Sequence, residues 1–304
     1  MHKQQQTAGS VFLPAILCTA LWGSAIPLIK SGYTLLAIAP DDAMAKLFFA
    51  GIRFAAAGAV VLLLAALRRA SIFPARRVWG GILLLSAVQT VMQYVFLYLG
   101  AGHTTGVRAT VLSATSTFFA VFAAHLFFKD DRMNLQKAVG CGLGFAGVLV
   151  ILAGSGFGSG AVTLTGEGFM LFSAVGQGLG AVISRKISPG QNPLVITGWQ
   201  LTLGGGVMLF FGLHGGGAAG MQMTGEGLGL LLYLVLVSAV AFSVWTQLLS
   251  RHAVGKVTIY MFLIPVFGAL LSAVVLQEGV FTVRNFAALA LVCAGIAAVS
   301  SAKK

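Results

Sequence analysis

Charge is the scarcest property of this chain: Asp, Glu, Lys and Arg together make up 9% of its 304 residues. A soluble domain carries nearer a quarter, because its surface has to be wetted. A surface with so little charge faces something other than water, and lipid is the natural partner. Acids are rarer still. The seven are Asp41, Asp42, Asp130, Asp131, Glu167, Glu226 and Glu278, and none falls at the midpoint of an apolar segment. Buried intramembrane carboxylates are the usual carriers of protons and ions, so proton exchange through such a group is disfavoured. Facilitated diffusion, or coupling through another group, is favoured. Cysteine is also scarce. Cys18, Cys141 and Cys293 lie in three different apolar segments without ligand spacing, which excludes a disulfide framework or a metal cluster. No HExxH, P-loop or nucleophile–base pair is present, so no catalytic residue, metal or cofactor is expected. Gly142 to Gly147 does spell GxGxxG, but inside an apolar helix with no strand before it. Close helix packing is the better reading there, as for Gly176 and Gly180.

What is abundant is apolar: 58% of residues are hydrophobic and the mean hydropathy is +0.95. A membrane-spanning helix needs about 20 apolar residues, since ~30 Å of hydrocarbon is crossed at ~1.5 Å per residue. Segments meeting or approaching that length are 11–36, 43–67, 78–99, 104–128, 135–154, 166–185, 192–213, 226–249, 256–277 and 282–301. None alternates with period two, so helices are expected and a β-barrel is not. Segment seven is interrupted by Gly204-Gly205-Gly206 and has the weakest pattern. Met1 to Ser10 is polar with one lysine, and the apolar run after it is long enough to span, so no cleavable signal peptide is expected.

The formal net charge of +12 would suggest nucleic acid in a soluble chain, but the positions of the basic residues explain it otherwise. With the N-terminus cytoplasmic, fourteen of the nineteen Lys and Arg fall in cytoplasmic loops or tails, and three (Lys46, Arg108, Arg284) lie near outer ends. Lys30 and Arg53 fall within helices. This is the positive-inside bias. It places both termini in the cytoplasm and requires no nucleic acid.

A shift of 149 residues aligns segment four with segment nine: His103 falls on His252, Gly106 on Gly255 and Phe118 on Phe267. One residue of slip later, Ala146-Gly147 meets Ala294-Gly295. Five spans per half is an odd number, so the second half inserts upside down relative to the first. The expected organisation is a five-helix repeat over residues 1–154, a link over 155–165 containing Gly154 to Gly160 (GSGFGSG), and a second repeat over 166–304.

Several motifs then converge. Leu21 to Lys30 reads LWGSAIPLIK, Arg53-Phe54 opens an apolar run, and segment six (GFMLFSAVGQGLGAVISRK) looks like a repeat of segment one. Pro265 in segment nine is followed by Glu278, and RNFAALALVCAGIAAV closes the chain. In order and spacing these resemble the ten-helix EamA-type branch of the drug/metabolite transporter superfamily, over nearly the whole chain. The first half departs from the pattern, with Ser116-Thr117 where proline often stands and Lys129-Asp130 in place of the glutamate. The resemblance implies an all-α integral membrane fold of ten helices in two inverted halves. It also implies a central cavity lined by helices one, three, four, six, eight and nine, opening alternately to each side. A secondary transporter exporting amino acids or amphipathic metabolites follows, with an importer or exchanger of a small nutrient as the alternative. A bacterial inner membrane is the expected location, the partners are lipid and a small solute, and the oligomeric state is left open, a monomer being one reading.

The substrate-binding candidates are Trp22, Gln89, Gln93, Ser113, Ser116, Gln177, Trp245 and Tyr260. Amides and hydroxyls on such helices serve either a polar cavity wall or interhelical hydrogen bonding, and both readings stay open. Pro27 and Pro265 are kink or gating candidates, since each deletes a helix hydrogen bond. Arg53 is read as a structural charge, with direct contact to a substrate carboxylate as the other reading. Glu278, beside Arg284, is read as structural or gating, and Lys30 as snorkelling to the outer face.

Overall fold

A computed structural model describes residues 9–104, 109, 112–152, 163–268 and 283–300. Among these, six helices are long and apolar enough to cross a membrane: α1 (Gly9–Leu35), α2 (Ala43–Leu67), α3 (Arg76–His103), α6 (Leu164–Ile187), α7 (Pro193–His214) and α8 (Gly225–Arg251). Four shorter apolar helices complete the set: α4 (Ser116–Phe127), α5 (Leu135–Leu152), α9 (Val254–Gly268) and α10 (Val283–Ser300). The chain is therefore all-α and multi-pass. The link expected over 155–165 lies mostly outside the described residues, and its last two positions already belong to α6.

Helix starts follow local chemistry. The first N–H groups of a helix lack intrahelical partners and need side-chain acceptors. Asp42 accepts from Ala45 N at the start of α2, Asn192 from Leu194 N before Pro193 in α7, and Thr224 from Gly227 N in α8. At α6, Thr163 accepts from Gly166 N while Glu167 accepts from Thr163 N, a reciprocal cap. Glu167, one of the few acids, is thus held in a cap, where it also accepts from the Thr104 hydroxyl at 2.8 Å.

Helix packing exchanges the two halves. The pairs α2–α7 and α5–α10 join equivalent helices, while α1–α8 matches α6–α3, and α2–α8 matches α7–α3. The seam between α2 and α7 is lined by glycine. Gly51 and Gly58 on α2, and Gly198, Gly205 and Gly212 on α7, recur every seven residues, and a Cβ at any of them would strike the facing helix. The triple glycine that weakens the pattern of segment seven is thus part of a continuous helix, with Gly205 in the seam and Gly206 facing open space.

The internal symmetry is sharpest at two glycines. A Cβ on Gly23 of α1 would meet the Ile264 carbonyl oxygen, Phe267 Cβ and Gly268 N of α9 at 2.8–3.1 Å. A Cβ on Gly178 of α6 would meet the Ser116 carbonyl oxygen, Phe119 Cβ and Ala120 N of α4 at 2.7–2.9 Å. The same three atom types are met at the same spacing. α1 and α6 are therefore related by 155 positions, and α4 and α9 by 148. The alignment at 149 is one residue out of register for this helix pair.

Candidate functional site

Arg53 lies on the inward face of α2 and is almost wholly buried. Its Nε donates to Ser238 Oγ at 2.8 Å and to the Leu234 carbonyl at 3.2 Å, both on α8; Nη1 donates to the Tyr98 hydroxyl of α3 at 3.1 Å. The guanidinium also stands 4.9 Å from the Phe54 ring and 5.9 Å from the Tyr94 ring. A planar fork of donors can hold partners on two helices at once, which an ammonium cannot. Among the described residues none of its hydrogen-bond partners is a carboxylate; a carbonyl, a hydroxyl and a phenol accept instead. The geometry is that of a clamp joining α2, α3 and α8.

An aromatic chain extends from the clamp on both sides. Towards one face, Tyr98 meets Phe49 and Tyr33, and Tyr33 donates to the Tyr98 carbonyl at 3.0 Å. Towards the centre, Tyr94 and Phe54 meet Phe242 of α8, which meets Trp22 of α1 with ring centroids 5.5 Å apart. Trp22 in turn meets Trp245 edge to face at 5.0 Å. Such contacts favour edge-on geometry because ring faces are negative and edges positive. The two indoles thus come from different halves and touch.

Their two indole nitrogens are unusual. Trp22 Nε1 and Trp245 Nε1 are buried without a hydrogen-bond partner, as are Gln93 Oε1, Ser243 Oγ, Ser184 Oγ, Gln200 Oε1 and Thr202 Oγ1 on other helix faces. An unsatisfied buried donor or acceptor costs about 1–3 kcal/mol, and such groups are rare in native interiors. The two indole donors come from α1 and α8, one in each half.

The remaining candidates separate. Gln89 and Gln93 do share a face: a Cβ on Gly180 would meet Gln89 Cβ at 2.5 Å, and one on Gly176 would meet Gln93 Cβ at 3.2 Å. The GxxxG spacing of α6 therefore docks against the two glutamines of α3. That stretch of α3, Ser86–Met92, is wound as a π-helix, a local widening common at functional positions. Gln89 then accepts from Gln200 Nε2 of α7 at 3.0 Å, and Ser86 donates to the Gln200 carbonyl at 3.0 Å. Ser113 donates to the Ala109 carbonyl, four residues before it, at 2.9 Å. Ser116 donates to Met261 Sδ and Thr117 to the Thr258 carbonyl at 3.1 Å, joining α4 to α9. Tyr260 is buried, with its ring 6.3 Å from that of Phe12. Gln177 of α6 is half-buried and stands 155 positions after Trp22, in the equivalent place.

Pro27 sits inside α1 without breaking it. It has no N–H to offer the Gly23 carbonyl, and Gly23 is where α9 comes closest. Pro265 follows a 3-10 turn at Ile259–Phe262 and is buried. Lys30 is half-buried and donates to the Thr104 carbonyl at 3.0 Å. Glu278 lies outside the described residues, as does the Arg284 side chain. Among the described residues, no group of three or more His, Cys, Asp or Glu gathers to hold a metal.

Sequence reading missed Tyr98, Ser238, Phe242 and Gln200. Gln200 carried a signal, as an amide within a span. The others did not, because Tyr, Ser and Phe are ordinary in such helices and only their meeting point distinguishes them.

Comparison with known proteins agrees with this architecture. The model of the EamA-like transporter family matches residues 10–153 and again 164–301. The chain is similar to the uncharacterized transporter YvbV of Bacillus subtilis, 29% identical over 99% of this chain and 95% of that protein. It is also similar to a probable amino-acid metabolite efflux pump of Salmonella typhimurium, 27% identical over 93% of this chain and 92% of that one. A solved crystal structure superposes with a TM-score of 0.73 at 19% identity, covering 95% of this chain and 96% of the other, which shows the shared fold.

Proposed function

The chain belongs to the EamA-like transporter family, and from that premise we propose that it exports a small metabolite, an amino acid or an amphipathic compound, by alternating access. It is a multi-pass membrane transporter and not an enzyme. The solute contacts would come from Trp22, Gln93 and Trp245 at the centre. Gln89, Ser113, Ser116, Gln177 and Tyr260 would contribute to the wall.

One observation carries this reading: the unpartnered indole N–H groups of Trp22 and Trp245, buried in different halves with their rings in contact. In a protein that only had to pack, the cost of those groups would have no return. A solute with an apolar body and hydrogen-bonding ends supplies partners for the two indole N–H groups. Because α1 and α8 belong to different halves, relative movement of the halves would part Trp22 from Trp245 and open the place between them.

The distribution of Lys and Arg supports both termini in the cytoplasm, and the bacterial relatives support an inner-membrane location. Purified protein in liposomes, offered a panel of amino acids, amines and amphipathic drugs, is expected to carry at least one class. Replacing Trp22 or Trp245 by Phe keeps the ring contact but removes the N–H, and is expected to lower that flux at least several-fold. A folded preparation inert towards every class, or flux indifferent to both substitutions, would sink the reading. Import is distinguished by complementing an auxotroph on a scarce nutrient, whereas export raises tolerance to an excess.

A further inference from the structure

The ion pairs at the arginine-rich end of the molecule are not part of the central site, and they join the two halves. Asp131, in the connection between α4 and α5, is fully buried. One of its carboxylate oxygens accepts from Lys137 Nζ of α5 at 2.6 Å. The other accepts from Arg185 Nη1 at the end of α6, at 3.3 Å, and from Gly255 N at the start of α9, at 3.2 Å. Arg185 Nη2 also pairs with Asp130 at 2.6 Å, and its guanidinium lies 4.3 Å from the Phe128 ring. One carboxylate thus ties the first half to two helices of the second.

The two cations are not equivalent. Lys137 and Asp131 belong to the same half and are both buried, with side chains 7% and 0% exposed, so their pair persists whatever the halves do. Arg185 belongs to the other half and is 17% exposed, and its second partner Asp130 is 55% exposed. Removing one member of a buried pair is costly mainly because it strands the remaining charge. Here Lys137 keeps Asp131 neutralised when Arg185 leaves, and water receives both Arg185 and Asp130. The inter-half contact is therefore reversible while the intra-half pair is permanent.

The opposite end offers an internal comparison. Lys30 follows Gly23 by seven positions, as Arg185 follows Gly178, so the two cations are equivalent by the internal symmetry. Lys30 donates to the Thr104 carbonyl, within its own half. Arg185, by contrast, reaches across to the other half.

We propose that Arg185 is the positioning residue of a latch: bound to Asp130 and Asp131 it holds the arginine-rich face of the solute path shut, and its release opens that face. The proposal deepens the alternating-access reading and rests on it. Ser116 of α4 is a suitable reporter. It is buried between α4 and α9, twelve positions before Phe128, or about 18 Å deeper at 1.5 Å per residue. Loss of one side chain at the rim does not uncover it; parting of the halves does.

The test places Ser116→Cys in a background with Cys18, Cys141 and Cys293 replaced by alanine, reconstituted with known sidedness. A membrane-impermeant methanethiosulfonate reagent is added to the Arg185 face. With Arg185 intact, labelling is expected to be slow. Arg185→Ala is expected to raise the rate roughly five- to tenfold, the population shift that follows loss of a charge-assisted contact. Arg185→Lys keeps the charge without the fork and is expected to fall between, and Asp130→Asn, which leaves the Asp131 contact, to give a smaller rise than Arg185→Ala. If Arg185→Ala fails to fold, Arg185→Lys and Asp130→Asn still decide the matter. Equal rates in all folded variants, or an equal rise when reagent meets the opposite face, would overturn the latch. The readout needs no transported solute, and flux is measured separately on protein that keeps Ser116: labelling as expected with no flux counts against the transport reading alone, and flux with unchanged labelling counts against the latch alone.

Discussion

A methyl group on Gly205 of α7 would sit 2.8 Å from the Cα of Ala55 in α2 and 2.6 Å from the carbonyl carbon of Phe54. The neighbouring glycine, Gly206, faces open space. Membrane helices are not driven together by hydrophobicity, since lipid tails are as apolar as leucine; close van der Waals contact does the work instead. Backbone against backbone is the closest contact available.

Gly205→Ala is therefore expected to destabilise the protein by about 1–3 kcal/mol, the usual cost of overpacking. Gly206→Ala, one residue away, is expected to be neutral or slightly stabilising because alanine is the better helix former. Unfolding in mixed micelles with increasing dodecyl sulfate measures both. Equal effects would show that the seam is not what holds α2 to α7.

The Arg53 clamp gives a second expectation. Arg53→Lys keeps the charge but cannot reach Ser238 and Tyr98 together. It is expected to lose nearly as much stability as Arg53→Met, about 3 kcal/mol for hydrogen bonds made by a buried charge. A lysine variant as stable as the parent would show that charge alone is required there.

The amide pair between α3 and α7 is testable by a double-mutant cycle. Gln200→Leu strands Gln89 Oε1 and removes the second acceptor contact to Thr90, and is expected to cost about 1–3 kcal/mol. Adding Gln89→Leu removes the stranded group, so the double variant is expected to be more stable than the Gln200→Leu single one. Strict additivity of the two costs would contradict the pairing.

His252, between α8 and α9, has its pKa lowered from the ordinary 6.5 by burial, with Arg251 and Lys256 adding repulsion. The unfolded chain therefore takes up a proton first as pH falls. The contribution to stability is complete above the ordinary imidazole value and is lost progressively as pH drops below it through the depressed folded value. His252→Gln is expected to flatten that part of the stability–pH curve, measured between pH 7.5 and 5. An unchanged slope would mean that other groups set it.

Much of the architecture was legible in the residues. Apolar length and the odd number of spans per half required ten helices in two opposed repeats, and Arg53 stood out as a charge in mid-span. The candidate site was legible only in part. Trp22 and Trp245 could be nominated as rings on suitable helices, yet 223 positions separate them and no local pattern states that they touch. Asp131 looked like one more loop acid beside Asp130, although it is the buried one.

The sequence by itself determined the solvent, the helices and the duplication, because each follows from short-range properties: hydropathy over a span, the chemistry of a cap, the spacing of a repeat. Tertiary structure alone decided which polar atoms found partners and which did not. The Gln200 amide nitrogen is held by Gln89 and Thr90, Arg53 by Ser238 and Tyr98, and Asp131 by Lys137 and Arg185, while Gln200 Oε1 and the indole nitrogens of Trp22 and Trp245 are left without partners. The reason is geometric. Away from water a hydrogen bond needs its partner within about 3 Å, and in a chain of ten helices that partner comes from a helix whose place only the packing of the two halves sets.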